Sequence, residues 1–231
     1  MTTLLNYNLK KKTGVIIYKN LNIVRKFASD HNSYKLLKND LKGFSWYNKN
    51  FHLDDNNVKN VKLVKSFVDY PLFKGKTVCY WNELSSNYVE AKLVLELYKN
   101  YWPSKNYTAS HGDLTFSNII FAKNKKPLII DWENFSIKEN WGYDICYFLI
   151  STIALPCLVK NKDKVNYNEL SLFRNLWLSF FKEKNLPYLR DPIKFLKRRF
   201  KKNFKYRSYK DYYPNKINKY INNQINEAIK R

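Results

Sequence analysis

The sequence predicts an α+β fold in two lobes: a small N-terminal lobe of strands plus one helix over residues 1–70, and a larger, mainly helical lobe over residues 71–231. Three observations predict it. Apolar residues alternate with polar ones in the first 30 residues, the period of a half-buried strand. Beyond residue 87 they recur three and four residues apart, the period of an amphipathic helix. Between the two regimes a polar loop opens at His111 and leads into two short apolar stretches. With 45% of 231 residues hydrophobic and 17% aromatic, the chain can build a core, which excludes disorder as its main state.

Taken in order, Gly14 to Tyr18, a Lys19-Asn20 turn and Leu21 to Phe27 predict a hairpin-like pair of strands. Asn32 can cap a helix carrying Leu36, Leu37 and Leu41, and Gly43 supplies its stop. A polar loop through Asp54, Asp55, Asn56 and Asn57 leads to Val61 to Phe67, whose alternation predicts one more strand. Pro71 and Gly75 punctuate the chain. Asn87, with Glu90 three residues on, and Val89, Leu93 and Leu97 predict a helix to Trp102, ended by Pro103. His111 to Asn118 reads as loop, Ile119 to Phe121 as strand, Lys123 to Lys126 as turn and Leu128 to Ile130 as strand. The longest apolar run, Ile145 to Val159, contains Tyr147, Ser151, Thr152 and Pro156 and falls short of the roughly 18 residues of a membrane span, so it predicts a buried helix. Leu170, Phe173, Leu176, Trp177 and Phe180 share one face of a further helix.

The N-terminus lacks a basic region followed by an apolar stretch and a cleavage site, so a cytoplasmic chain is expected. Cys79, Cys146 and Cys157 form no CxxC pair, are odd in number and sit among apolar residues, which predicts buried, reduced thiols rather than disulfides or zinc. Lys plus Arg number 42 against 19 Asp plus Glu, a net +23 that attracts nucleic acid, an anionic membrane or a phosphorylated small molecule. The abundance of Lys, Asn, Ile and Tyr is equally what AT-rich coding produces with no partner involved.

The chemistry-bearing stretch is His111-Gly-Asp113-Leu-Thr-Phe-Ser-Asn118, followed by Ile129-Ile-Asp131-Trp-Glu133. A carboxylate on a loop can take a proton from a substrate hydroxyl. An amide oxygen five residues on and a carboxylate ending the next strand can hold magnesium, which prefers hard oxygen ligands and bridges phosphates. Such a set suits phosphoryl transfer, where positioning and charge neutralisation are the main work. The bland alternative is an exposed loop whose Asp and Asn only make turn hydrogen bonds.

These residues resemble the aminoglycoside phosphotransferase and choline kinase group, which shares the bilobed protein-kinase-like fold. The matched pattern is His-x-Asp-x-x-x-x-Asn followed by Ile-Asp-x-Glu, and the close match spans residues 108–150. The resemblance implies an ATP- and magnesium-dependent small-molecule kinase, with ATP or another nucleoside triphosphate as co-substrate and a small-molecule hydroxyl as acceptor. It makes Asp113 the catalytic base, Asn118 and Asp131 magnesium ligands, and His111 a brace for the loop. Asp144 in Gly142-Tyr-Asp144-Ile looks like the group's structural Asp at the start of a large-lobe helix. Ile-Asp-Trp-Glu slightly favours choline or ethanolamine, while a sugar, an aminoglycoside or a lipopolysaccharide-core sugar stays open. Glu133, Trp132 and Trp141 are candidates for the acceptor pocket, with Trp81 beside them; aromatic faces suit a quaternary ammonium, though each Trp taken alone also suits a core.

In the small lobe the pattern thins. A cation from a strand is expected at the nucleotide phosphates, and Lys26 is favoured over its neighbour Arg25; adjacent strand residues face opposite ways, so only one points inward. Its helix partner is normally Glu, yet Asp40 is the only acid between Asn32 and Phe51, and its shorter reach predicts a weak pairing or none. Gly14 is the only glycine before Gly43, so no glycine-rich phosphate loop is visible. From Asp191-Pro192 a basic amphipathic helix carries Ile193, Leu196, Phe200 and Phe204 among seven Lys and Arg residues, followed by Tyr206, Tyr209, Tyr212 and Tyr213. That stretch suits lobe packing with a solvated basic back, or contact with an anionic lipid headgroup, a glycolipid or nucleic acid, on whose bases the tyrosines can stack. No nucleic-acid motif accompanies it. A second reading is therefore a catalytically degenerate kinase-fold protein that binds nucleic acid or an anionic membrane through its basic surface. His31 and His52 match no pattern, and oligomeric state is not legible.

Overall fold

A computed structural model of the chain describes residues 2–8, 12–51, 61, 63–103, 106–123, 126–182, 184–203 and 213–230. His52, the loop 54–57, Phe204, Tyr206, Tyr209 and Tyr212 lie outside the described residues. The fold is mixed α+β with small antiparallel sheets. In order run β1 (Thr2–Asn8), β2 (Thr13–Tyr18), β3 (Ile23–Ala28), α1 (His31–Phe51), β4 (Leu63–Val64), β5 (Phe67–Pro71), β6 (Lys76–Thr77) and α2 (Tyr88–Tyr101). Then follow β7 (Tyr107–Ser110), β8 (Ile119–Phe121), β9 (Leu128–Ile129), β10 (Ser136–Asn140), α3 (Tyr143–Val159), α4 (Tyr167–Phe181), α5 (Pro192–Asn203), α6 (Tyr213–Lys216) and α7 (Lys219–Lys230). No helix among the described residues is long and apolar enough to cross a membrane.

The chain divides into two compact units. The first gathers Met1–Gly75, Tyr101–Asp113 and Ile129–Trp141. Its antiparallel sheet has the order β1-β2-β3-β5-β4, and β7 pairs with β10. Its core is aromatic: Trp132, fully buried, lies 5.2 Å from Tyr47, 6.0 Å from Trp46 and 6.4 Å from Trp102, centroid to centroid. The second unit gathers Lys76–Asn100, Leu114–Leu128 and Gly142–Arg231. Here α3 is buried over most of its length, because apolar residues occupy every face, and α4 buries Phe173, Leu176, Trp177 and Phe180.

Several expectations are corrected. Asp30, not Asn32, caps α1: its Oδ1 accepts the Ser33 amide at 2.8 Å while its own amide donates to Ser33 Oγ at 2.9 Å. Helix α1 does not stop at Gly43 but runs eight residues further, to Phe51. Gly43 is a contact rather than a terminator: a Cβ there would stand 2.6 Å from the Trp132 Cβ and 2.8 Å from the Phe135 Cβ. The alternation of Val61 to Phe67 spans two strands, β4 and β5, because Lys65 takes a positive φ of 50° and reverses the chain.

On α2, Ala91, Val94, Leu95, Leu97 and Tyr98 are buried, so Leu97 packs as expected, whereas Val89 is 67% exposed and Leu93 39%. Apolar residues lie around most of the helix, and only packing chooses the buried arc. Cys146 and Cys157 are buried, but Cys79 is exposed. On α5, Ile193 and Leu196 are buried and Asp191 Oδ1 accepts the Lys194 amide at 3.0 Å, so that helix begins as its sequence predicts.

Candidate active site

Strand β3 alternates its side chains, and register fixes what each one meets. Arg25 stands opposite Asp69 of β5, and their side chains form a two-pronged bond of 2.7 Å on each arm, with the Arg25 guanidinium 3.9 Å from the Phe67 ring centre. Its fork is thus taken by Asp69. Lys26 projects to the other face, shared with Val24, Val68 and Tyr70. There its Nζ lies 3.1 Å from Asp40 Oδ2 of α1 and 2.9 Å from Asp131 Oδ1.

The expected weakness of the Asp40 pairing is corrected as well. Asp40 is buried, and it reaches Lys26 because Gly43, one turn further along α1, lets the helix approach the 132–135 loop without an intervening side chain. Tyr70 completes the arrangement by donating its hydroxyl to Asp40 Oδ2 at 2.6 Å. Burial disfavours the Lys26 ammonium, but Asp131, Asp40 and Glu133 outweigh it and hold its pKa above the usual lysine range. Burial, reinforced by Asp40, likewise keeps the Tyr70 phenol protonated.

Asp131 adopts a left-handed backbone, φ 64°, a conformation rare outside glycine that persists only when its surroundings enforce it. Two anchors do so. Behind Asp131, the carbonyl of Ile130 meets His111 Nε2 at 2.8 Å. Ahead of it, Trp132 enters the aromatic core and donates its Nε1 hydrogen to the Ile129 carbonyl at 3.1 Å. Trp132 therefore presents no ring face to a ligand, and its candidacy for an acceptor pocket gives way to a core role; Trp141 is buried too, while Trp81 is 43% exposed.

His111 also ties in Asp113, whose amide donates to His111 Nδ1 at 3.3 Å. With Nδ1 accepting, the proton sits on Nε2 and goes to Ile130, so one neutral ring spans the two loops that carry Asp113 and Asp131. Asp113 itself is half-buried, and Asn134 Nδ2 lies 3.5 Å from its Oδ2. Glu133 is buried close enough to Lys26 to raise its pKa.

The structure thus brings Lys26, Asp131 and Glu133 together and ties in His111 and Asp113. Asn118 ends a short 3-10 turn, Phe116–Asn118, and Asp144 lies fully buried in the first turn of α3; both belong to the second unit. Sequence reasoning missed Tyr70, Asn39 and Asn134. Tyr70 had one available signal, the alternation that puts Val68 and Tyr70 on one face of β5; the two asparagines had none.

Among the described residues no three His, Cys, Asp or Glu side chains gather as a metal cage. Magnesium seldom uses one, taking one or two carboxylates with waters and substrate phosphates, and Asp131 with Glu133 two residues on offers that donor chemistry. No known family model matches the chain, and no curated protein matches it.

Proposed function

We propose that the chain is a small-molecule kinase of the bilobed protein-kinase-like kind, moving the γ-phosphate of ATP or another nucleoside triphosphate to a hydroxyl group. The observation that carries this reading is the convergence of Lys26 and Asp131, 105 residues apart in sequence, on a strained Asp131 whose supporting His111 also holds Asp113. A packing role needs neither a lysine among three carboxylates nor a left-handed aspartate. Perturbed ionisable clusters of this kind mark functional sites.

In this reading Asp113 orients the acceptor hydroxyl and takes its proton. Lys26 turns from the carboxylates to the nucleotide phosphates, releasing Asp131 as a ligand for magnesium. Magnesium, when bound, neutralises charge developing on the transferred phosphoryl group. The acceptor class is a small alcohol: choline or ethanolamine, a sugar, an aminoglycoside or a lipopolysaccharide-core sugar.

A nucleotide-binding measurement tests this. Magnesium with ATP should raise the melting temperature of the wild type, and Asp131→Asn should remove most of that shift. Absence of any shift in the wild type contradicts the reading. It would favour the second one, a degenerate kinase-fold protein using its +23 charge to hold a polyanion, for which the lack of any glycine before Gly43 other than Gly14 speaks. Polyanion binding of that type weakens steeply with salt.

A further inference from the structure

Helix α1 meets the 131–135 loop at a second residue besides Gly43. The Asn39 side chain donates both hydrogens of its amide nitrogen, one to the Glu133 carbonyl at 2.8 Å and one to the Phe135 carbonyl at 3.0 Å. These carbonyls flank Asn134. The turn between them is closed by the Phe135 amide, which donates to the Trp132 carbonyl at 2.9 Å. Asn134 is therefore fixed on both sides, and its own Nδ2 lies 3.5 Å from Asp113 Oδ2. The backbone of Asp113's neighbour leaves no slack on that side. Gly112 has φ +84°, and a Cβ placed there would collide with the Asn134 carbonyl oxygen.

We infer that Asn39 and Asn134 are positioning residues: Asn39 aims Asn134, and Asn134 sets the orientation of the Asp113 carboxylate. This rests on the phosphotransferase reading and extends it from the loop motif to a helix with no motif of its own. The chemistry is specific. Asp113 is an acceptor with two oxygens, and a base must present one oxygen to the incoming hydroxyl while the other is held. His111 meets the Asp113 amide, while Asn134 faces the carboxylate. Asn134 supplies a neutral donor to Oδ2, so it orients the carboxylate without adding a charge to the site. A separation of 3.5 Å is long for a hydrogen bond, and such contacts tighten when substrate completes the site.

The competing account is structural: Asn39 and Asn134 would merely stabilise a turn. The two accounts part on how substitutions combine. Steady-state turnover of magnesium-ATP, with a pooled set of amino alcohols, sugars and aminoglycosides, is measured for wild type, Asn39→Ala, Asn134→Ala and the double variant, alongside melting temperatures. The inference expects kcat to fall about 10- to 100-fold in each single variant, with KM for magnesium-ATP within about twofold of wild type. It expects the double variant to be no worse than about threefold below the poorer single one, because both substitutions interrupt one chain of contacts.

If Asn134→Ala keeps kcat within about twofold of wild type, or if the two effects multiply in the double variant, the relay is overturned while the phosphotransferase reading stands. Absence of turnover in the wild type overturns the reading on which the relay rests. Should Asn39→Ala not fold, Asn39→Ser, which keeps one donor, takes its place, and the Asn134→Ala arm decides by itself.

Discussion

The Ile130 carbonyl and the Asp113 amide are bound to opposite nitrogens of one His111 ring, at 2.8 Å and 3.3 Å. Two loops, one carrying Asp113 and the other Ile130, are thereby set against each other by a fully buried side chain. Replacing His111 with Ala removes both bonds and leaves two polar backbone groups to rearrange. His111→Ala should lower kcat by about 100-fold and also weaken magnesium-nucleotide binding, because the ring braces Asp131 as well as Asp113, with a stability loss of about 2 kcal/mol. Calorimetric titration beside steady-state kinetics checks this; unchanged affinity would mean that Asp131 keeps its place without the His111 ring.

Lys26 and Arg25 separate by partner. Lys26→Met leaves Asp40, Asp131 and Glu133 without their shared ammonium. Its nucleotide affinity should fall by more than about tenfold, with about 3 kcal/mol lost in stability. Arg25→Met breaks a pair that is about one-third exposed and should cost about 1 kcal/mol, with nucleotide affinity retained. Titration of both variants with magnesium-ATP decides which cation faces the phosphates, and the reverse ranking would exchange their roles.

Much of this arrangement was legible in the sequence. The loop pattern from His111 to Glu133 placed the acids and the brace, and strand alternation correctly set Lys26 and Arg25 on opposite faces. What escaped was long-range and geometric. Gly43 reads locally as a helix stop, and only contact with Trp132 and Phe135 shows why a glycine sits inside a continuing helix. Apolar residues lie around most of α2, so periodicity alone could not choose the buried arc. Asn39 and Asn134 carry no pattern, since an amide that bonds to a distant backbone carbonyl needs only a fold, not a spacing.

Gly43→Ala tests the close approach of α1. Alanine favours the helix by about 1 kcal/mol over glycine. Against that gain, the added methyl meets two Cβ atoms below 3 Å; overpacking of this kind costs about 1–3 kcal/mol. Net destabilisation of up to about 2 kcal/mol and weaker nucleotide binding are expected, the second because α1 carries Asp40 away from Lys26. Denaturant melts provide the check, and a stabilised variant would show that the loop can yield.

The alkaline limb of stability carries a signature of Tyr70 and Lys26. Both groups have folded pKa values raised above their unfolded ones, near 10 for tyrosine and about 10.4 for lysine. Their contribution is complete below those unfolded values and is lost as pH rises through the folded ones. Wild-type stability should therefore decline above about pH 10, and Tyr70→Phe should decline less steeply, from a start about 1.5 kcal/mol lower because Asp40 has lost a donor. Urea melts between pH 8 and 11 compare the slopes; parallel slopes would show that the Tyr70 hydroxyl titrates as freely in the folded chain as in the unfolded one.

The most direct measurement is magnesium-dependent release of ADP from ATP by the wild type and by Asp113→Ala, with and without pooled amino alcohols, sugars and aminoglycosides. The account predicts acceptor-stimulated release that Asp113→Ala loses by about 1000-fold while still binding magnesium-ATP. Release that persists unchanged in Asp113→Ala, or no release from a wild type that also fails to bind magnesium-ATP, contradicts it.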